Sequence, residues 1–262
     1  MSEWIQIIIL AIVQGIAEFL PISSSGHLNV IQSLISGKIP ETPELTVVLH
    51  FGTLLAIVCF YWRRILDLLG SDRRVIPILI VGTIPAAVIG ITVKKMFPDL
   101  LTNPLVSGIM FPITGGMLLL LNRLKEGKDE YPAMGYKTTV LIGLAQAFAL
   151  LPGISRSGST IVAGSLLGLK RDQAMTFSFL LAIPAILGAT VLECYDIYKA
   201  GFKTATDPTL LLVGTVIAFV VGYGALRWLD GLLKQGKLHL FAWYLIPLGV
   251  LVIIWRVFVL TQ

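Results

Sequence analysis

A chain of 262 residues with 56% hydrophobic and only 13% charged side chains, and a mean hydropathy of +0.87, is no soluble domain; there roughly a quarter of residues carry charge. Its net charge of +5 says little about nucleic acid, because in a polytopic membrane protein Lys and Arg mainly set orientation. Cys59 and Cys194 sit in or beside apolar segments and read as small buried hydrophobes, forming neither a disulfide framework nor a metal cluster.

The N-terminus is apolar from Trp4. Its early charge is Glu3 and no small-residue cleavage site follows, so it reads as part of the mature protein, not as a signal peptide. Residues 4–36 are not a simple span: an apolar helix breaks at Pro21 and runs through Ser23, Ser24 and Ser25 to Gly26 and His27. Six segments of about twenty residues are long enough to cross a bilayer as helices, at 44–62, 75–93, 105–121, 172–192, 209–229 and 241–260. Four contain a proline, Pro85, Pro112, Pro184 or Pro247, which membrane helices tolerate when neighbours satisfy the freed backbone groups. Between the third and fourth lies a second interrupted block, 136–169, with Gly164 and Gly168 at close-packing spacing.

The two interrupted blocks resemble each other. Shifted by 132 positions, QGIAEFLPISSSGH from Gln14 aligns without a gap on QAFALLPGISRSGS from Gln146. Gln14 falls on Gln146, Ile22 on Ile154, Ser23 on Ser155, Ser25 on Ser157 and Gly26 on Gly158. A repeat whose best-matched part is a polar break inside apolar sequence points to a binding site. Irregular backbone at membrane depth must be buried in protein or line a wet cavity, so each block reads as a re-entrant helical hairpin.

Loops 63–74, 122–137, 169–172 and 227–240 hold thirteen of the twenty Lys and Arg, which marks their side as cytoplasmic. The opposite side has Lys38, Lys94, Lys95, Lys199, Lys203 and Arg256. One hairpin plus three spans is an odd number of crossings, so the halves are expected to be inverted. The expected fold is an all-α polytopic membrane protein with six transmembrane helices and two re-entrant hairpins. It forms a single domain, 1–262, with repeats at 1–121 and 136–262.

Four ionisable residues remain at membrane depth: Glu18, His27, His50 and Arg156. Each charge there costs about 2.5–3.5 kcal/mol against a stability of about 5–15 kcal/mol, so they are expected to pair with one another, with a ligand or with cavity water. Glu18 lies in the last turn of a helix, where the dipole and desolvation favour its protonated form and fit it for acid–base work. Serines before a helix are ordinary N-caps, and at least one in each set is expected to be one. Helix starts rich in glycine and hydroxyls also bind anions, and two that enter from opposite faces would meet near the midplane. Arg156 adds a fork of donors suited to phosphate oxygens. His27, three positions after Ser24, is placed beside the serines to activate a hydroxyl, protonate a leaving group or attack phosphorus itself. His50 is either an outer partner of the site or a hydrogen-bonded helix histidine. The bland alternative is a polar network that only locks the hairpins together. No Walker loop, HExxH or CxxC pair is present.

With these motifs, Gln14 to Glu18 as (E/Q)xxxE running into FLPISSSGH, and PGISRSGST at 152–160, the chain resembles the undecaprenyl-diphosphatase family of the bacitracin-resistance type over essentially its whole length. The resemblance implies an enzyme at the outer face of the bacterial plasma membrane. It removes the terminal phosphate from the C55 lipid carrier diphosphate for cell-wall synthesis, with magnesium or calcium. It places the family's acidic pair on Gln14 and Glu18, its serine and histidine on Ser24 and His27, and its arginine and serines on Ser155, Arg156 and Ser157. Gln14 stands where many relatives carry a second glutamate, and His50 where some carry an amide.

The expected catalytic residues are therefore Glu18, Ser24, His27 and Arg156. Gln14, Ser23, Ser25, Gly26, His50, Ser155, Ser157, Gly158 and Thr160 are expected to bind substrate, with Glu18 toward the metal. Ser24 is the preferred nucleophile with His27 assisting; attack by His27 through a phosphohistidine is the other route. Partners are the polyprenyl diphosphate, membrane lipid and a homodimeric copy, with no nucleic acid. The rival functions are a transporter or flippase for polyprenyl phosphate or another anion, and a non-catalytic scaffold.

Overall fold

The computed structural model describes residues 3–35, 43–199, 201 and 207–260, and these are mostly helical with no strand among them. Lys38 and Lys203, used above to orient the chain, lie outside the described residues. In chain order the helices are α1 (Glu3–Phe19), α2 (Ser24–Ile35), α3 (Pro43–Phe60), α4 (Trp62–Leu69), α5 (Val75–Met96), α6 (Pro98–Thr102), α7 (Pro104–Arg123), α8 (Tyr136–Phe148), α9 (Arg156–Leu166), α10 (Arg171–Lys199), α11 (Pro208–Lys234) and α12 (Leu240–Leu260).

Six of them, α3, α5, α7, α10, α11 and α12, are long and apolar enough to cross a membrane, and each matches one of the expected segments, α3 ending at Phe60, two residues short of the expected 62. The protein is a multi-pass membrane protein. Pro85, Pro112, Pro184 and Pro247 lie inside α5, α7, α10 and α12 without ending them. Starts are set locally: Asn103 caps α7 by accepting from the amide of Leu105, and Asp207 caps α11 by accepting from that of Thr209. A proline follows each cap at the first helical position, where its missing N–H costs nothing. Beyond their apolar stretches α10 and α11 continue to Lys199 and Lys234 as charged extensions. The short helices α4 and α6 were not foreseen. Cys59 and Cys194 are free and exposed on the outer surfaces of α3 and α10, not buried; on a span the outward face is itself an apolar environment.

Between membrane helices there is little water to exclude, so close packing of small residues sets the contacts. Helix α11 lies against α1 and α3, as α5 lies against α8 and α10; α3 packs on α10, and α7 on α12. The correspondence reaches single residues. A Cβ added to Gly82 of α5 would meet Thr139 of α8 at 3.1 Å, and one added to Gly214 of α11 would meet Ile7 of α1 at 3.2 Å. Both members of the second pair differ from the first by the same 132 positions that relate the two breaks. The short pairs α1–α2 and α8–α9 pack against these helices on one side and are buried at their breaks. Around their breaks lie Phe19, Leu20, Phe111, Phe177 and Phe179, all essentially without exposure.

Candidate active site

In the first break, α1 ends at Phe19 because Pro21 has no N–H to continue it. The chain turns through Ser23, which adopts φ +73°, a left-handed conformation that costs a serine about 1–3 kcal/mol. The turn is held from both sides. Ser23 Oγ accepts from the amide of Gly26 at 3.3 Å, capping α2, and from that of Gly153 in the other break at 3.0 Å. The second break repeats the cap: Ser155 Oγ accepts from Gly158 N at 3.1 Å. Here the left-handed residue is Gly153, at φ +97°. Thr114 of α7 ties this turn together, donating to Gly153 O at 2.8 Å and accepting from Ser155 N at 3.1 Å. One serine in each set is thus an N-cap, as expected from the sequence.

The two helix starts meet backbone to backbone. A Cβ on Gly26 would lie 2.7 Å from Gly153 N and 2.8 Å from the Phe111 ring, so only glycine permits this approach. Ser157 Oγ reaches across to Leu20 O at 3.5 Å and pairs with Ser155 Oγ at 3.2 Å.

At this junction Arg156 Nη2 donates to Glu18 Oε1 at 2.9 Å. The other carboxylate oxygen accepts from Ser24 Oγ at 2.8 Å and from Gln14 Nε2 at 3.2 Å. All of these partners are donors, so Glu18 is received as an anion. Of these partners only the Ser24 hydroxyl can also accept, which is all that the protonated form suggested by the helix dipole would find. The glutamate is 8% and the arginine 16% exposed. A buried pair of this kind contributes little net stability intact, but removing one partner costs about 3–5 kcal/mol. Arg156 is further held by Nη1 to Ser178 O at 3.4 Å and by lying 5.7 Å from the Phe179 ring centre. Thr160 is buried behind it, donating to Arg156 O at 2.8 Å and bonded to Ser178 Oγ.

His27 is buried, but its ring turns away from Ser24. Nδ1 meets Ser23 O at 2.7 Å and Nε2 meets the Tyr244 hydroxyl at 2.8 Å. His50 bonds the carbonyl of Thr46 through Nδ1 at 2.9 Å, one turn back on α3. It also lines a cavity of about 270 Å³ together with Gln14, Ser24, Ser25, Asn29 and Glu193. His50 is thus a hydrogen-bonded helix histidine that also borders this cavity. The expected residues fall into three places. Gln14, Glu18, Ser24 and Arg156 form one ion-paired cluster, with Ser25 and His50 beside it in the cavity wall; Ser23, Gly26, Ser155, Ser157 and Gly158 form the turns beneath it; His27 stands on the far side of Ser23.

Sequence reasoning missed Thr114, Ser178 and Tyr244. The first two are polar residues without exposure inside apolar spans, and that was the available signal.

A divalent cation would meet a restricted donor set. Among the described residues no three His, Cys, Asp or Glu side chains gather as metal ligands. The cluster supplies one carboxylate, already paired with Arg156, and Gln14 Oε1, which is buried without a hydrogen bond. That set fits an ion held largely by substrate phosphates, as Mg²⁺ commonly is, and not a protein cage.

The sequence model of the family described as bacitracin resistance protein BacA matches residues 7–251. A relative from Rhodopirellula baltica, named undecaprenyl-diphosphatase, is 52% identical over 97% of this chain and 98% of its own. Relatives of the same name from Halothermothrix orenii and Corynebacterium glutamicum are 40% and 37% identical, each over 96% of this chain and over 98% and 90% of their own.

Proposed function

The chain belongs to the bacitracin resistance protein BacA family, and from that premise we propose that it is an undecaprenyl-diphosphate phosphohydrolase, releasing the terminal phosphate of the lipid carrier. The observation that carries the chemistry is the hydrogen bond from Ser24 Oγ to Glu18 Oε2 at 2.8 Å, a nucleophile already resting on its base. In this reading the terminal phosphoryl group lies over the starts of α2 and α9, held by their free amides and by the donors of Arg156 not spent on Glu18. Ser24 Oγ attacks phosphorus as its proton passes to Glu18. The bond to the bridging oxygen breaks, polyprenyl phosphate leaves, and water hydrolyses the phosphoserine. Ser24 is favoured over His27 as nucleophile because both ring nitrogens of His27 are engaged by protein groups.

A magnesium or calcium ion would sit toward Glu18 and Gln14 and neutralise phosphate charge when bound. The cavity lined by Gln14, Ser24, Ser25 and His50 also has Leu101 and Thr102 in its wall, on the side opposite the arginine-rich loops, which supports access from the outer face. The prenyl tail would leave sideways into lipid, where its apolar area belongs.

The test is hydrolysis of undecaprenyl diphosphate by the purified protein in detergent. Phosphate release is expected from the native chain, and full activity in both Glu18→Gln and Arg156→Ala would overturn the site. A trapped intermediate separates the routes, since phosphoserine survives acid and phosphohistidine does not.

The matched packing of α1 on α11 and α8 on α5 supports two inverted repeats, 1–121 and 136–262, each with a re-entrant hairpin. The same symmetry favours a second reading, translocation of polyprenyl phosphate. Lipid crossing in vesicles without phosphate release would favour it. A homodimer would use the lipid-facing surfaces of the spans, and crosslinking in membranes tests it.

A further inference from the structure

Four contacts converge on His27, from the turn before its own helix and from two other helices. Its Nδ1 faces Ser23 O at 2.7 Å, a carbonyl that can only accept, so the ring proton is placed on Nδ1. Nε2 then carries a lone pair, and the Tyr244 hydroxyl of α12, 2.8 Å away, donates to it. The Tyr244 ring stacks on the imidazole, 5.7 Å between centres with 14° between planes. Phe111 of α7 closes the other side at 4.9 Å. The carbonyl that His27 holds belongs to Ser23, the left-handed residue whose hydroxyl receives the Gly153 amide of the second break.

We infer that Tyr244 is a positioning residue for the reaction, acting through His27: its hydroxyl fixes the imidazole on the Ser23 carbonyl and so holds the turn by which the first break grips the second. The inference rests on the phosphohydrolase reading for its link to activity, but its geometry stands apart from it. Without the hydroxyl, Nε2 lies among aromatic rings with no donor, and the ring proton is free to move between the two nitrogens. Ser23 then loses a fixed partner, and Ser24, the next residue, is displaced from Glu18. Tyr244 touches neither Glu18 nor Ser24, so its influence passes through His27 alone.

Two measurements test this on the full chain in detergent. With ¹⁵N-labelled histidine, the His27 resonances, assigned by their loss in His27→Ala, are expected to show the Nδ1-protonated tautomer. In Tyr244→Phe, which keeps the stack, they are expected to shift toward a mixture. A native ring protonated on Nε2, or a Tyr244→Phe spectrum identical to the native one, overturns the inference whatever the activity. In the hydrolysis assay Tyr244→Phe should lower kcat about 3–10-fold, the worth of one neutral hydrogen bond, and leave KM within about twofold. In the His27→Ala background the same change should have no further effect on any remaining activity. An equal loss in both backgrounds would mean that Tyr244 acts independently of His27. Absence of phosphate release from the native chain would instead overturn the phosphohydrolase reading, and leave the spectroscopic result standing.

Discussion

The first break places a carboxylate, a hydroxyl and an imidazole at Glu18, Ser24 and His27; the second, aligned with it residue for residue, has Leu150, Arg156 and Ser159 at those positions. What the breaks share is structural: a capping serine, a glycine three residues later, and a left-handed turn. What differs is chemical. In the proposed reaction the first supplies the base and the nucleophile, and the second supplies the cation that holds charge. Neither is complete alone, since Glu18 would be a buried unpaired carboxylate without Arg156. The difference shows how two similar frames, meeting at Gly26 and Gly153, make one asymmetric site.

The largest effect is expected from removing the groups that differ. Glu18→Gln should lower kcat by about 10²–10⁴-fold by taking away the acid–base group. Arg156→Ala should lower kcat/KM by about 10²–10³-fold and also destabilise the fold, because it strands the Glu18 carboxylate. Moving the carboxylate to the aligned position of the second break, Glu18→Leu with Leu150→Glu, should restore no phosphate release. Recovery would mean that the breaks are interchangeable and the comparison false.

Next come the shared parts. Gly26→Ala puts a methyl 2.7 Å from Gly153 N, and should cost about 1–3 kcal/mol of stability, read from thermal unfolding in detergent, together with activity. Thr114→Val leaves Gly153 O and Ser155 N without their shared partner, and should destabilise by about 1–3 kcal/mol, while Thr114→Ser stays close to native. The smallest effect belongs to Ser157→Ala, which removes only two long contacts of 3.2 and 3.5 Å and should stay within about 0.5–1.5 kcal/mol. A severe loss there would show that the second break does more than position Arg156.

Much of this was legible in the chain itself. Six apolar stretches of sufficient length located the spans, since a helix crossing hydrocarbon needs a fixed run of apolar residues. The cost of charge at depth marked Glu18, His27, His50 and Arg156 as needing one another, a ligand or water, and two of them, Glu18 and Arg156, are 2.9 Å apart although 138 positions separate them. That one serine in each set caps a helix followed from serine preceding a helix; that these are Ser23 and Ser155 did not. Spacing misled where a side chain had to choose a direction. Three positions from Ser24, His27 was placed among the hydroxyls, but a ring in the first helical turn also reaches the carbonyl four positions back, and Tyr244 holds it there.

The sequence alone therefore determined the membrane class, the spans and which ionisable groups at depth need partners, because apolar length and the penalty on buried charge act on each segment locally. Tertiary structure decided which way His27 faces, that Thr114, Ser178 and Tyr244 serve the junction, and that Gln14 Oε1 is left without a donor. Those outcomes depend on which helices lie side by side. Contacts spanning as many as 217 positions are set by packing, and no local pattern encodes them.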